Sequence, residues 1–110
     1  MPVYVVVETW TDQGLRNLRD TIKHADVFVA AAGQAGCGVQ DIVWMTGPYD
    51  VVAVIDAPND EAASALTVIM EALGNVRLHW MRGYRKHEMA QVLTTLAGFA
   101  DKAARFPIRT

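Results

Sequence analysis

The sequence has only one cysteine, Cys37, so no internal disulfide can staple the chain and its fold must rest on packing. Cys37 and the three histidines, His24, His79 and His87, show no HxxxH, HExxH or CxxC spacing, so neither a metal site nor a bound cofactor is expected. The four glycines from Gly33 to Gly47 match neither a phosphate-binding loop nor a dinucleotide fingerprint. Linkers rich in Ser, Pro or Gly are missing, as are short repeats and low-complexity runs, which argues against a second domain. The opening MPVYVVVETW has no basic start and reaches Glu8 after a short apolar run, so neither a signal peptide nor a membrane span is expected, and a soluble cytoplasmic protein is the default. Basic charge is not in excess: the formal net charge is −2, unlike the strongly basic balance of a nucleic-acid footprint. With no helix-turn-helix ahead of Met1, no nucleic-acid partner is expected.

What is present is apolar material for one core. The chain has 110 residues, 52% of them hydrophobic and 20% charged. A chain of that length buries roughly 65% of its unfolded surface. Its charge is divided unevenly. Residues 1–76 carry ten acids and three bases, a net −7, while residues 77–110 carry two acids and seven bases, a net +5.

Val3 to Thr9 is β-branched and apolar at nearly every position, which predicts a strand buried on both faces. Thr11 and Asp12 can cap a first helix, in which Leu15, Leu18, Ile22, Ala25, Val29 and Ala32 recur at steps of three and four and predict its buried stripe. Its second half, with Val27, Ala30 and Ala31 off that stripe, asks for a partner on another side. Val39 to Thr46 and Asp50 to Ala57 predict two strands joined at Gly47-Pro48, the second almost wholly apolar. Pro58-Asn59-Asp60-Glu61 opens a second helix, with Leu66, Ile69, Met70 and Leu73 as its buried stripe and Gly74-Asn75 as its stop. Val76 to Arg82 alternates as a fourth strand. Arg85 to Phe106 predicts a third helix with Met89, Val92, Leu93, Leu96, Ala100 and Ala103 on one stripe, ended by Pro107.

This order is the α+β, ferredoxin-like βαββαβ sandwich with an added C-terminal helix. Residues 1–84 form its body, and residues 85–110 are a helix and tail of the same domain. The first and third strands, central in that topology, are the continuously apolar ones. They stay apolar on the face that no helix covers, which predicts a self-associating chain of the dimeric α+β barrel type. The third helix is then expected on the second side of the first helix or across a neighbouring subunit.

The candidate site residues follow from the same alternation. His79 shares a face with Arg77 and Met81, where an imidazole beside a guanidinium can bind an anion or exchange a proton; a structural hydrogen bond is the plainer reading. Trp10 and Trp44 lie at or in strands and, with Tyr49, can wall an apolar or aromatic pocket, though aromatics there are more often core. In Gly47-Pro48-Tyr49-Asp50, Asp50 reads as a brace that accepts from turn amides. His24 falls opposite the Leu15-Leu18-Ile22 stripe, in solvent or against the third helix. Nothing basic adjoins Cys37, so an inert turn cysteine is expected.

The chain resembles the GYD domain family. The resemblance is carried by Trp10-Thr11-Asp12-Gln13-Gly14, by Gly47-Pro48-Tyr49-Asp50 with one residue inside the naming motif, by Ala57-Pro58-Asn59-Asp60-Glu61-Ala62, and by Leu73-Gly74-Asn75-Val76-Arg77, over roughly residues 3–88. It implies the ferredoxin-like fold and assigns no reaction. The stretch LHWMRGYRKHE departs from the family's more threonine-rich strand. A looser similarity runs to the ligand-sensing half of feast/famine regulators, which implies dimerisation through sheets and small molecules held between subunits.

Three functions are open at this stage. The first is a non-enzymatic small-molecule-binding or regulatory homo-oligomer, taking a small aromatic or anionic ligand on Trp10, Trp44, Tyr49, Arg77 and His79. The second is a cofactor-independent monooxygenase- or isomerase-type enzyme with His79 as general acid or base. The third is a structural assembly unit joined by the third helix.

Overall fold

Two strands with apolar side chains on both faces occupy the centre of the sheet, where hydrogen bonding on both edges and cover on one side favour them. The computed structural model describes residues 1–104, with side chains to residue 102. In chain order these are β1 (Val3–Trp10), α1 (Asp12–Arg16), a 3₁₀ turn (Leu18–Asp20), α2 (Thr21–Gln34), β2 (Gly38–Trp44), β3 (Val51–Asp56), α3 (Asp60–Ala72), β4 (Val76–Gly83) and α4 (Lys86–Ala104). The sheet order is β2-β3-β1-β4, with β1 antiparallel to both neighbours and β2 antiparallel to β3. This is the expected ferredoxin-like α+β arrangement, with β1 and β3 central.

Register fixes which residues share a face. Tyr4, Val6, Glu8 and Trp10 of β1 lie opposite Ile55, Ala53 and Val51 of β3 and Arg82, Trp80, Leu78 and Val76 of β4, on the side covered by α2 and α3. The core between them centres on Val6, Ile55 and Leu66, all fully buried. Val5, Val7, Val52 and Val54, together with Arg77, His79 and Met81, take the other face, which no helix of the described chain covers.

The first helix differs from the expectation. It is broken after Arg16 by the 3₁₀ turn, and Leu15, Leu18, Ile22 and Val29 of the predicted stripe are exposed. The sheet is met instead by Phe28 and Ala32, both buried, with Ala31 and Ala35 packed against the same core. The 3₁₀ turn advances the chain at about three residues per turn, so a stripe phased on α1 does not carry into α2. In α3, Leu66 and Met70 are buried as expected, but Ile69 and Leu73 are half exposed and Ala63 takes their place on the inner face. Small Ala63 and Ala32 let the helices approach the sheet closely.

Both caps read from the sequence form. The Thr11 hydroxyl accepts from the Gly14 amide at 3.1 Å, and the Asn59 side-chain oxygen Oδ1 accepts from the Ala62 amide at 2.9 Å. At the start of α4, the Glu88 carboxylate accepts from the Arg85 amide at 3.0 Å, which restrains the first turn. Helix α4 does not dock on α2 or run along any other element, and the molecule measures 59 × 29 × 22 Å. Met89, Leu93, Leu96 and Phe99 along it are exposed. The predicted Phe106 and the stop at Pro107 lie outside the described residues, as does the side chain of Ala103.

Candidate functional site

A pocket of about 290 Å³ lies at the end of the sheet under α2, on the helix-covered side. Residues from every layer line it: Glu8 and Trp10 from β1, Thr21, His24 and Phe28 from α2, and Trp44 from the end of β2. Met70 of α3 and Val51 of β3 add apolar wall, and Asn75 closes one end. Such a volume sits at the small end of the range for ligand sites and suits a single-ring or short aliphatic molecule.

Glu8 is the unusual member. It is 8% exposed, the one charged residue type buried among the described residues, and it sits on the apolar central strand. Burial pushes its carboxyl from 4.5 to about 7. No donor of the described residues hydrogen-bonds that carboxyl, although ionised carboxylates in protein interiors are normally paired. A carboxyl that is buried, unpaired and open to a pocket is poised either to meet a ligand or to hold a proton.

The two tryptophans are held by the chain's own turns. The Trp10 amide donates to the Asp50 carboxylate at 2.9 Å, and the Asp50 amide donates to the Glu8 carbonyl at 2.8 Å. Asp50 is therefore a brace, as expected, but it braces the β2–β3 turn to β1 rather than to its own turn amides. Gly47, at φ +147°, gives the turn the conformation that lets Asp50 reach. The Trp44 indole N–H donates to the Thr21 hydroxyl at 3.0 Å, which ties the edge strand to the first turn of α2 across the pocket mouth.

The closed end is a clasp between two of the motifs read in the sequence. The Thr11 amide donates to the Asn75 carbonyl at 3.1 Å and the Thr11 hydroxyl to the Gly74 carbonyl. The Gln13 side-chain amide donates to the Leu73 carbonyl at 2.9 Å and to the Asn75 side-chain oxygen at 3.1 Å. Gly14 lies against the same turn so closely that a β-carbon on it would fall 2.0 Å from the Asn75 carbonyl oxygen. Gly74, at φ +87°, makes the turn.

The five residues singled out from the sequence divide between two faces. Trp10 and Trp44 line the pocket. Arg77 and His79 lie on the open face, where the Tyr49 ring packs edge-on against His79 with centroids 6.0 Å apart. They do not converge on one cavity of the chain. His24, expected in solvent or against the third helix, instead lines the pocket, because the break before Thr21 rotates α2. Cys37 is buried and its thiol is pushed up by desolvation, in keeping with an inert turn cysteine. Glu8 was missed as a site residue. Its signal was available: strand alternation puts this lone carboxylate on the same face as Tyr4, Val6 and Trp10.

Among the described residues no group of three His, Cys, Asp or Glu side chains is placed to hold a metal, and no helix is long and apolar enough to cross a membrane. None of the curated proteins compared with the chain matches it. The family model of the GYD domain matches residues 4–93, a span that includes the pocket, the Asp50 brace and the clasp at Asn75, and the chain therefore belongs to the GYD domain family.

Proposed function

We propose that the chain binds a small, largely apolar molecule in the pocket beneath α2 and works as a homodimer. The observation that carries the first half is Glu8, a buried carboxyl with no partner among the described residues, at the wall of a cavity lined by Trp10, Trp44 and Phe28. Proteins seldom retain such a group for packing, since a neutral side chain would fill the same space at lower cost. The test is a titration of tryptophan fluorescence with 2-phenylethanol, because Trp10 and Trp44 both face the site. A saturable change is expected, and it should vanish in Ala25→Phe, which extends a ring into the cavity from α2. A linear response in the unmodified protein would remove the pocket reading.

Self-association is supported by two uncovered apolar surfaces and by charge. The open sheet face carries Val5, Val52 and Val54, and α4 leaves the body with Leu93, Leu96 and Phe99 exposed. The net −7 of residues 1–76 faces a net +5 in residues 77–110, so a second copy offers each segment a complementary surface. Arg85 ties the root of α4 to this region, its guanidinium 3.2 Å from the Asp56 carboxylate. In the dimer the open sheet faces meet and α4 lies against the partner. Native mass spectrometry should give twice the chain mass, and Leu93→Asp, at a position 52% exposed, should yield monomer with unchanged far-ultraviolet dichroism. A dimer mass in Leu93→Asp would remove α4 from the interface. Assembly without any probe binding would favour a purely structural role.

A second reading is proton-transfer chemistry without a cofactor. The observation in its favour is that burial sets the Glu8 carboxyl at about 7, where a general acid or base works best at neutral pH. Glu8 replaces His79 in that role, because His79 faces away from the pocket.

A further inference from the structure

We infer that the pocket takes an organic cation, a protonated amine on an aromatic or aliphatic body, with the Glu8 carboxylate as its counterion. The inference rests on the pocket reading above and adds the charge class of the ligand.

The charge inventory of the cavity decides between anion, neutral molecule and cation. Among the described residues neither lysine nor arginine lines it. An anion would find no permanent positive charge and would approach a carboxylate. The anionic ligand expected from Arg77 and His79 belongs to the open face, on the far side of the sheet. For a cation the complement is in place: one buried acid with no partner among the described residues, and the aromatic side chains of Trp10, Trp44 and Phe28, a residue class whose π-systems attract positive charge. The remaining walls, Val51, Ile42 and Met70, suit a hydrocarbon body. An ammonium group beside Glu8 also relieves the penalty of burying its ionised form, so ligand binding and deprotonation favour each other.

That linkage gives a pH signature. The titratable groups facing the cavity are Glu8 from β1 and His24 from α2; β2, β3, α3 and the Leu73–Val76 turn contribute none, and the nearby Asp50 carboxylate is occupied by the Trp10 amide. At low pH Glu8 loses its charge, and with it the attraction for a cation.

The experiment compares 2-phenylethylamine, 2-phenylethanol and phenylacetate by calorimetric titration of the full chain at pH 6 and pH 8. With the Glu8 carboxyl titrating at about 7, its ionised fraction rises about tenfold over that interval, so amine affinity should rise about tenfold while alcohol affinity stays level. At pH 8 the amine should bind at least tenfold tighter than the alcohol, and phenylacetate weakest. Glu8→Gln should abolish that preference together with the rise of amine affinity between pH 6 and pH 8. Alcohol binding with no amine preference at pH 8 would overturn the cation assignment and leave the pocket reading standing, whereas no binding of any probe would overturn both. An amine preference and pH dependence unchanged in Glu8→Gln would remove Glu8 as the counterion.

Discussion

Replacing Gly14 with alanine should destabilise the fold by roughly 3 kcal/mol, the upper part of the usual cost of forcing extra volume into a packed site. The reason is local and steric. The new β-carbon would sit 2.0 Å from the Asn75 carbonyl oxygen, with the carbonyl carbon at 3.0 Å, and both belong to backbone rather than to a flexible side chain. Relief requires α1 to move away from the α3–β4 turn. That motion stretches the Thr11 and Gln13 hydrogen bonds to residues 73–75 together, so the clasp fails as a unit. Urea unfolding should show a lower midpoint, and the melting temperature should fall by roughly 10–20 °C for a domain of this size. Gly33, which has open space around its α-carbon inside α2, is the control: Gly33→Ala should leave stability unchanged or raise it slightly. Equal effects at the two glycines would show that helix propensity, and not the clasp, governs the response.

The second large effect is a dependence of stability on pH that runs through one residue. Burial raises the folded-state value of Glu8 from 4.5 to about 7, so between those pH values the folded chain holds a proton that the unfolded chain has released. Stability therefore falls as pH rises through that window and levels off above about 7, where Glu8 is ionised in both states. The interval corresponds to roughly 3 kcal/mol. Glu8→Gln keeps the shape and removes the charge. Relative to the unmodified protein, the variant should gain roughly 3 kcal/mol in stability between pH 4 and pH 8, read from urea midpoints at the two pH values. Other titrating groups are common to both proteins and cancel in the difference. A difference that stays constant with pH would mean that the Glu8 carboxyl is solvated after all, and the pocket reading would lose its main support. If the expected gain is found, Glu8 is a residue held against stability, as ligand-binding and catalytic groups often are.

These two residues also mark where sequence reading succeeds and where it stops. Strand positions, the Thr11 and Asn59 caps and the turns at Gly47 and Gly74 were legible because each depends on residues a few places apart. The central placement of β1 and β3 was legible because burial on two faces leaves an uninterrupted apolar run. The stripes on the helices were only partly legible. Periodicity assumes one continuous helix, and the 3₁₀ turn at Leu18–Asp20 reset the phase, exposing Leu15, Leu18 and Ile22 and turning His24 inward. Gly14 read as an ordinary member of a motif, since its reason for being glycine lies some sixty residues away at Asn75.

The site was the least legible part. Trp10 and Trp44, which line the cavity, were grouped with Arg77 and His79 because all four lie on or beside strands, and nothing local says which side of the sheet the helices will cover. The sequence by itself determined the order of elements, the two central strands, the unequal division of charge at residue 77 and the family. Only the tertiary structure decided that the helices enclose a cavity over Glu8 while Arg77 and His79 face away from it, and that α4 leaves the body uncovered. The physical reason is the range of the interactions involved. Propensity, capping and alternation act within a few residues, whereas desolvation of a carboxyl, closure of a cavity and a β-carbon clash across the Asn75 turn exist only once distant segments have met.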